Sequence, residues 1–492
     1  MARKTLAQIA ISSNEERWVK GWCENILKSN PDVVVVNLTQ YADKSEALFK
    51  EHIPEDKLVF VKHPWQKSFA EARQHTLDEV GKWEERTGKK IDFCMFIDLD
   101  EYITAPSFVQ LDAVLNRQAE HAQYMCNIYN TVTSEAMLAV LYYPRLFPWR
   151  NAAGERLNPY FEGAVHNQVV YPVKTQQVGV RTNINIKHEG YALDEAAMAV
   201  KHKRSEELLQ NQIKADDTNY FAHLNYAQLL RAKGDVQGSL KSSLKVLELC
   251  QSKIDSDDSR YRDACLMAYE QAGTAYMNLG KAEHVIEMSE AGLKLKADHL
   301  DSLFNMGHGY MMKQDMEKSI FWLKRYLFIR SRYDELKDNT NLILNHLNSS
   351  FMALYHLGNI YAFQKKNQDA KEHYERALEE APKYADLFIR YIDLLRRMGL
   401  EKDLQHMVNE FMYKHAEKNY QIYEYFGDTE LEDANIEGAK FNYYQAANIC
   451  EGMPEQERIQ GKWDSVRAAF GEVSANFFNT AQKHQEMQER IA

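Results

Sequence analysis

Phe93-Cys94-Met95-Phe96-Ile97-Asp98-Leu99-Asp100-Glu101-Tyr102 is an apolar run that ends directly in acids. It reads as an apolar strand running straight into acids, while the continuous β-branched run Val33-Val34-Val35-Val36 reads as a parallel strand buried on both faces. In an extended chain, residues two apart project to the same side, so Asp98 and Asp100 are expected to converge at the strand's end. Two hard oxygen donors there suit Mg2+ or Mn2+. Around this run, strands are predicted at Leu6–Ile11, Val33–Asn37, Leu58–Lys62, Asp92–Ile97, Tyr124–Tyr129, Leu138–Phe147, Gln168–Tyr171 and Asn183–Lys187. Helices are predicted between the early ones, at Glu15–Ser29, Ser45–Glu51 and Ser68–Glu85. Strands alternating with helices predict an open, mostly parallel sheet with its ligand crevice at the carboxyl ends of the strands.

Past Tyr191 strand-like runs disappear and helical periodicity takes over, with a repeat of about 34 residues. The clearest unit is Leu354-Tyr355-His356-Leu357-Gly358-Asn359-Ile360-Tyr361, followed by Ala370, Tyr374, Ala377 and Pro382. It resembles the tetratricopeptide repeat: two antiparallel helices approach where Gly358, Ala370 and Ala377 meet, and Leu357, Tyr361 and Tyr374 fill the rest. Gly273, Tyr276 and Gly280 stand in register with Gly307, Tyr310 and Gln314. Ala227, Leu230, Gly234 and Asp235 mark an earlier unit. Ile392, Leu395 and Gly399 mark a fifth, and Gly427, Ala439, Tyr443 and Ala446 a sixth. The expected organisation is an α/β domain over 1–192, a connecting helix over 193–215, a superhelix of about six repeats over 216–450, and capping helices over 451–492. The last of these is expected near Trp463–Lys483.

The chain of 492 residues carries a formal net charge of −11, with a pI near 5.9. That balance disfavours nucleic acid as the main partner, though it leaves room for a local basic groove. No stretch approaches the ~20 apolar residues of a membrane span, and the opening lacks a signal-peptide pattern. The expected location is the cytoplasm. The six cysteines form no Cys-x-x-Cys pair and read as buried thiols.

Several segments, in order, resemble the family 2 glycosyltransferases, inverting enzymes of the GT-A fold, and within them a bacterial subgroup fused to tetratricopeptide repeats. These are Ile9-Ala10-Ile11-Ser12-Ser13-Asn14-Glu15-Glu16, Phe69-Ala70-Glu71-Ala72-Arg73-Gln74, Ile97-Asp98-Leu99-Asp100-Glu101, Arg145-Leu146-Phe147, Tyr160-Phe161-Glu162-Gly163-Ala164-Val165-His166 and Ile186-Lys187-His188-Glu189-Gly190-Tyr191. The resemblance spans residues ~5–215. It implies a nucleotide-sugar donor, UDP-linked by preference, and an Mn2+ or Mg2+ ion held by Asp98, Asp100 and His188. Ser12, Asn14, Glu15, Asp43, Arg73 and Asp98 would contact the donor. Inverting transfer needs a general base. Glu162 is the favoured candidate, because an aromatic loop could desolvate it and raise its pKa; Asp98 and Glu101 are the others. Trp149 and Tyr160 could stack on a sugar ring or simply pack. Two positions depart from the family pattern: Asn37 replaces an acid at the end of the second strand, and Asn167 follows His166 where Glu is usual.

The reading is therefore a metal-dependent transferase moving a sugar to a polypeptide or other large acceptor. The repeat array would hold the acceptor or make a homodimer. Two alternatives stay open. One is a repeat scaffold whose degenerate transferase-like domain only binds. The other is a transferase acting on modified bases of viral DNA.

Overall fold

The computed structural model describes residues 3–116, 122–131, 137–163, 167–172, 178–190, 195–256, 259–333, 344–415 and 419–470. His166 and Tyr191 of the sequence motifs, and the expected capping helix beyond 470, lie outside them. The chain divides into two compact units, Met1–Asn348 and Ser349–Ala492.

The first unit opens with strands β1 (Leu6–Ser13), β2 (Val33–Gln40), β3 (Leu58–Lys62), β4 (Phe93–Phe96), β5 (Glu101–Ile103), β6 (Ala122–Thr131), β7 (Met137–Pro148), β8 (Tyr160–Glu162), β9 (Gln168–Val170) and β10 (Val178–His188). Helices α1 (Glu16–Ile26), α2 (Ser45–His52), α3 (Phe69–Thr87) and α4 (Ser107–Leu115) interleave with them. Eight strands form one sheet in the order β3-β2-β1-β4-β7-β6-β10-β5, and β8 and β9 form a separate hairpin.

The run Val33–Val36 shows why β2 is central. Val34 and Val36 enter one core with Trp22 of α1 and Leu111 of α4. Val33 and Val35 enter the opposite core with Leu77 and Trp83 of α3. A strand covered on both faces needs apolar residues at every position.

The expectation of a mostly parallel sheet holds for β3-β2-β1-β4 and fails beyond it. β7 runs antiparallel to both β4 and β6, and β5 antiparallel to β10, with only β6 and β10 parallel. β6 and β7 are separated by five residues, and strands so closely joined can pair only antiparallel, because a parallel return needs a crossover of a dozen or more.

From α5 (Glu195–Ala215) onward the described chain is helical. Helices pair as α6 (Tyr220–Ala232) with α7 (Val236–Cys250), α8 (Ser259–Asn278) with α9 (Ala282–Leu295), and α10 (Leu300–Met312) with α11 (Met316–Ser331). The second unit continues with α12 (Ser350–Phe363) and α13 (Asn367–Glu380), α14 (Ala385–Arg397) and α15 (Glu401–His415), α16 (Tyr420–Glu432) and α17 (Ile436–Ile449), then α18 (Gln456–Phe470).

One device turns the chain between the helices of each pair. Gly234, Gly280, Gln314, Lys365, Gly399 and Ala434 all have positive φ. The next residue's N–H reaches back five positions, as Lys366 N to Tyr361 O at 2.9 Å and Asp315 N to Tyr310 O at 2.9 Å. This is the Schellman ending of a helix. Asp235, Asp315 and Asn435 then cap the following helices.

Gly358 packs so closely on Tyr374 that a Cβ would lie 2.4 Å from Cε1, and Gly427 stands likewise against Tyr443 at 2.6 Å. Gly358→Ala is expected to destabilise the second unit by about 1–3 kcal/mol, because Tyr374 cannot yield without breaking its 2.6 Å bond to Asn359 Oδ1. Chemical denaturation of the full chain measures this. A variant as stable as the parent would refute the close-packing account.

Buried imidazoles make the first unit sensitive to acid. Burial pushes His299 and His346 down to about 3 and His308 to about 4, below the ordinary 6.5. Their contribution is present above pH 6.5 and is lost as pH falls toward the folded values, at about 1.4 kcal/mol per pH unit for each group. Asp301 works the other way: burial and then Glu270 raise it, so it favours the folded state in acid. Glu15 and Glu101 in the same unit are raised as well and offset the histidines, so the imidazole share is read by difference: His346→Gln is expected to lose less stability than the parent between pH 6.5 and 4.5. Parallel profiles for the two proteins would contradict it.

Candidate functional site

β4 stops at Phe96, and Ile97–Asp100 is a turn closed by Glu101 N donating to Asp98 O at 2.9 Å. The strand-alternation argument for Asp98 and Asp100 is therefore corrected: a turn, not an extended chain, sets their directions. The turn leads into β5, which pairs with the end of β10 so that Glu101 stands opposite His188. That register brings the far end of the domain back to the acids.

Asp100 Oδ2 lies 3.3 Å from His188 Nε2. Glu189 N donates to Asp100 O at 2.9 Å. Gly190 closes over the pair, and a Cβ there would come within 2.1 Å of Asp100 Oδ2 and 2.5 Å of His188 Nε2. Burial lowers the His188 pKa, but the hydrogen bond and charge of Asp100 outweigh it, and the net shift is upward.

Asp98 is differently held. Arg73 Nη2 donates to Oδ1 at 2.5 Å and Arg145 Nη2 to Oδ2 at 3.3 Å. Burial raises the Asp98 pKa, but the two guanidinium charges override it and hold the carboxyl far below its usual range. A carboxylate so placed is a weak proton acceptor, which counts against Asp98 as general base. The side chains of Asp98 and Asp100 stay 29% and 24% exposed, enough for an incoming ligand to reach them.

Arg145 also pairs with the buried Glu101. Its guanidinium lies 4.1 Å from the Phe96 ring centre and 5.1 Å from that of Tyr143. Its Nε and Nη1 have no hydrogen-bond partner among the described residues. Burial, followed by the Asp98 charge, outweighs Arg145 and leaves the Glu101 carboxyl raised.

Glu15 joins the group from the end of β1. Burial first, then Asp100 and Asp98, raise its carboxyl to about 7, against a hydrogen bond from Ser13 N at 3.3 Å. Asn14, at φ 56, ties β1 to the loop after β2 through Gln40 Oε1 at 3.2 Å and Ala42 N at 2.8 Å. Asp43 accepts from Glu16 N at 2.9 Å and Ser45 N at 3.0 Å, so it closes the amino ends of both α1 and α2. Ser12 is fully buried with its Oγ unpartnered among the described residues.

Arg73 is buried, bonded to Asn167 Oδ1 at 2.5 Å as well as to Asp98. The structure thus gathers Asp98, Asp100, His188, Glu15 and Arg73, while Asn14, Ser12 and Asp43 shape the adjoining β1–β2 edge.

One expectation needs correction, and one open alternative is decided. Glu162 ends β8 with its side chain exposed, so the desolvation that favoured it as base is absent. Trp149 is 2% exposed, donates to Glu84 Oε2 at 3.1 Å and lies under Arg156, so it packs rather than stacks on a ligand. Tyr160 remains 40% exposed.

Sequence reasoning missed two cations. Lys201 of α5 donates to Gly190 O at 3.0 Å and sits in the field of Asp100. Arg204 acts on Glu15 and covers the Phe69 ring at 5.4 Å. The signal was the run Lys201-His202-Lys203-Arg204, which reads as a solvated helix face until the helix is placed against the acids.

The expected ligand triad is corrected to a pair: both Asp98 oxygens are taken by arginines, and among the described residues Asp98, Asp100 and His188 do not bring one donor atom each within 4.8 Å of the others. Carboxylate and imidazole at 3.3 Å, beneath a glycine that leaves no room for a side chain, suit Mn2+ better than Mg2+, which prefers oxygen alone.

A tetratricopeptide-repeat family model matches residues 351–384, so that repeat is present in the chain. Similar solved structures include a tetratricopeptide repeat protein from Parabacteroides merdae ATCC 43184, with 16% identity over 55% of this chain and 93% of that one and a TM-score of 0.38. Pseudomonas aeruginosa pilF shows 14% identity over 50% and 98%, with a TM-score of 0.35. YrrB, described as a TPR protein with an unusual peptide-binding site, shows 17% identity over 42% and 92%, with a TM-score of 0.30. No curated protein matches the chain. Tetratricopeptide repeats generally serve protein interactions, and among the described residues no helix is long and apolar enough to cross a membrane.

Proposed function

We propose that the N-terminal domain is a GT-A glycosyltransferase of the family 2 type, using a nucleotide sugar, UDP-linked by preference, and an Mn2+ ion. The carrying observation is the Asp100–His188 pair under Gly190, at the carboxyl end of β4 and beside Asp98 and Glu15. Asp100 and His188 would hold the ion, with Asp98 alongside. Bound there, it supplies positive charge against the diphosphate. Lys201 and Arg204 add charge from α5, and Arg73 becomes available to phosphate if Asp98 turns to the ion. Asn14 and Asp43 keep the β1–β2 edge in shape for the nucleoside, and exposed Tyr160 offers a face for a sugar ring.

The transfer displaces the nucleoside diphosphate from the anomeric carbon by an acceptor hydroxyl or thiol, whose proton goes to a base. Glu162 keeps a place near the Phe161 and Arg73 contact but lacks the buried setting of a tuned base. A polypeptide acceptor held by the repeats fits their general use.

The exposed Glu162 and the neutral Asn167 favour one second reading, a binding domain without turnover. Both readings are separated by incubating the full chain with a panel of nucleotide sugars and Mn2+, measuring free nucleoside diphosphate and metal-dependent nucleotide binding. Release of diphosphate supports the transferase. Binding without release supports the second reading, and neither signal refutes both.

A further inference from the structure

His63, the residue after β3, faces α3, where Glu71 and His75 stand one turn apart on the same side of the helix. One ligand atom from each of His63, Glu71 and His75 lies within 4.8 Å of the other two. The imidazoles of His63 and His75 are stacked, with centroids 3.7 Å apart and planes at 28°.

A histidine in a protein interior ordinarily gives its ring nitrogens to hydrogen bonds. Here His75 Nε2 is buried with no partner among the described residues. Glu71 is exposed, and the capping bond in its turn uses its backbone N–H to Ser68 Oγ at 3.2 Å, so the cap does not use its carboxylate. Burial and the neighbouring His63 keep the His75 imidazole below its usual pKa, hence neutral and ready to donate a lone pair.

The scaffold fixes this arrangement through Asn37. Its Nδ2 donates to Ala72 O at 2.7 Å and its Oδ1 accepts from His63 N at 3.2 Å. An aspartate would set a carboxylate against the Ala72 carbonyl. An amide at this position inside β2 can join both groups at once, and so lock His63 over the first turns of α3.

We propose that His63, Glu71 and His75 form a second metal site, separate from the acid cluster, that takes Zn2+. Two imidazoles and one carboxylate are a set that transition ions accept, with a further position open to water. Tetrahedral Zn2+ with ligands at about 2.0–2.2 Å needs donor atoms about 3.4 Å apart. Modest side-chain rotation closes the present spacing to that. The ion clips the segment between β3 and α3 and stabilises the folded domain by binding it alone.

The test is titration of the metal-stripped full chain with Co2+, which reports imidazole and carboxylate ligation in its visible spectrum, followed by displacement with Zn2+. In Asp100→Ala, where the acid cluster has lost its carboxylate, one equivalent is expected to bind and to be displaced by one equivalent of Zn2+. Glu71→Gln, an exposed change that spares the fold, is expected to weaken binding by at least about tenfold, and His75→Ala to remove it. Three results would overturn the proposal: no binding, binding unchanged in Glu71→Gln, or binding lost in Asp100→Ala but kept in His75→Ala. The last would assign the ion to the acid cluster.

Discussion

Alanine at Asp100 is expected to lower Mn2+-dependent turnover of a nucleotide sugar by about 10²–10³-fold while the fold survives. Removing one preorganised charge from a site that stabilises a leaving group costs about this much, because nothing else replaces it at the moment of bond breaking. The fold should survive because Asp100 sits on a turn with its side chain partly exposed, and its backbone bond to Glu189 N does not depend on the carboxylate. The change also removes the anion that raises His188, so the His188 pKa is expected to fall. Diphosphate release, Mn2+ titration and the thermal unfolding midpoint should be read together. Turnover within threefold of the parent, with the fold intact, would remove Asp100 from the centre.

Arg145→Met is expected to destabilise the first unit by about 3–5 kcal/mol. Arg145 is the cation between buried Glu101 and partly buried Asp98. Its removal leaves Glu101 without its counter-charge while Asp98 keeps Arg73, and an unpaired buried charge is far more costly than the intact pair is favourable. The fall is expected to be partly reversed in Arg145→Met/Glu101→Gln, which removes the orphaned charge as well. Denaturant unfolding of the parent, both single variants and the double variant closes the cycle. Additive losses would mean that Arg145 acts through packing on Phe96 and Tyr143 alone.

The helical half was legible because its signals are local. Gly358 and Tyr374, or Gly427 and Tyr443, lie 16 residues apart, and one helical hairpin brings them together whatever the rest of the chain does. Among the described residues six helix pairs, α6 to α17, occupy the stretch where the spacing places the repeats. Three of the turn residues, Gln314, Lys365 and Ala434, adopt positive φ without being glycine. Of these only Gln314 was identified, and by register, not residue type.

The candidate site was legible only in part. Asp98, Asp100, His188 and Arg73, each in a motif at a strand end or helix start, are brought together by the fold as the motifs led one to expect. Glu162 was misjudged because its burial depends on what packs over the β8–β9 hairpin, which adjacent residues do not specify. Lys201 and Arg204 were passed over because a basic run on a helix is ordinary until the helix docks against acids.

The sequence by itself determined the N-terminal strands and helices other than β5, β8 and α4, the acids after β4, and the repeat with its period. Each is written in residues close enough along the chain to interact without help. Only the tertiary structure decided that half of the sheet turns antiparallel, that two arginines hold Asp98 while His188 takes Asp100, and that His63 faces Glu71 and His75. Those outcomes depend on which distant segments share a dielectric environment and a few ångströms of space, and neither quantity exists until the chain has closed on itself.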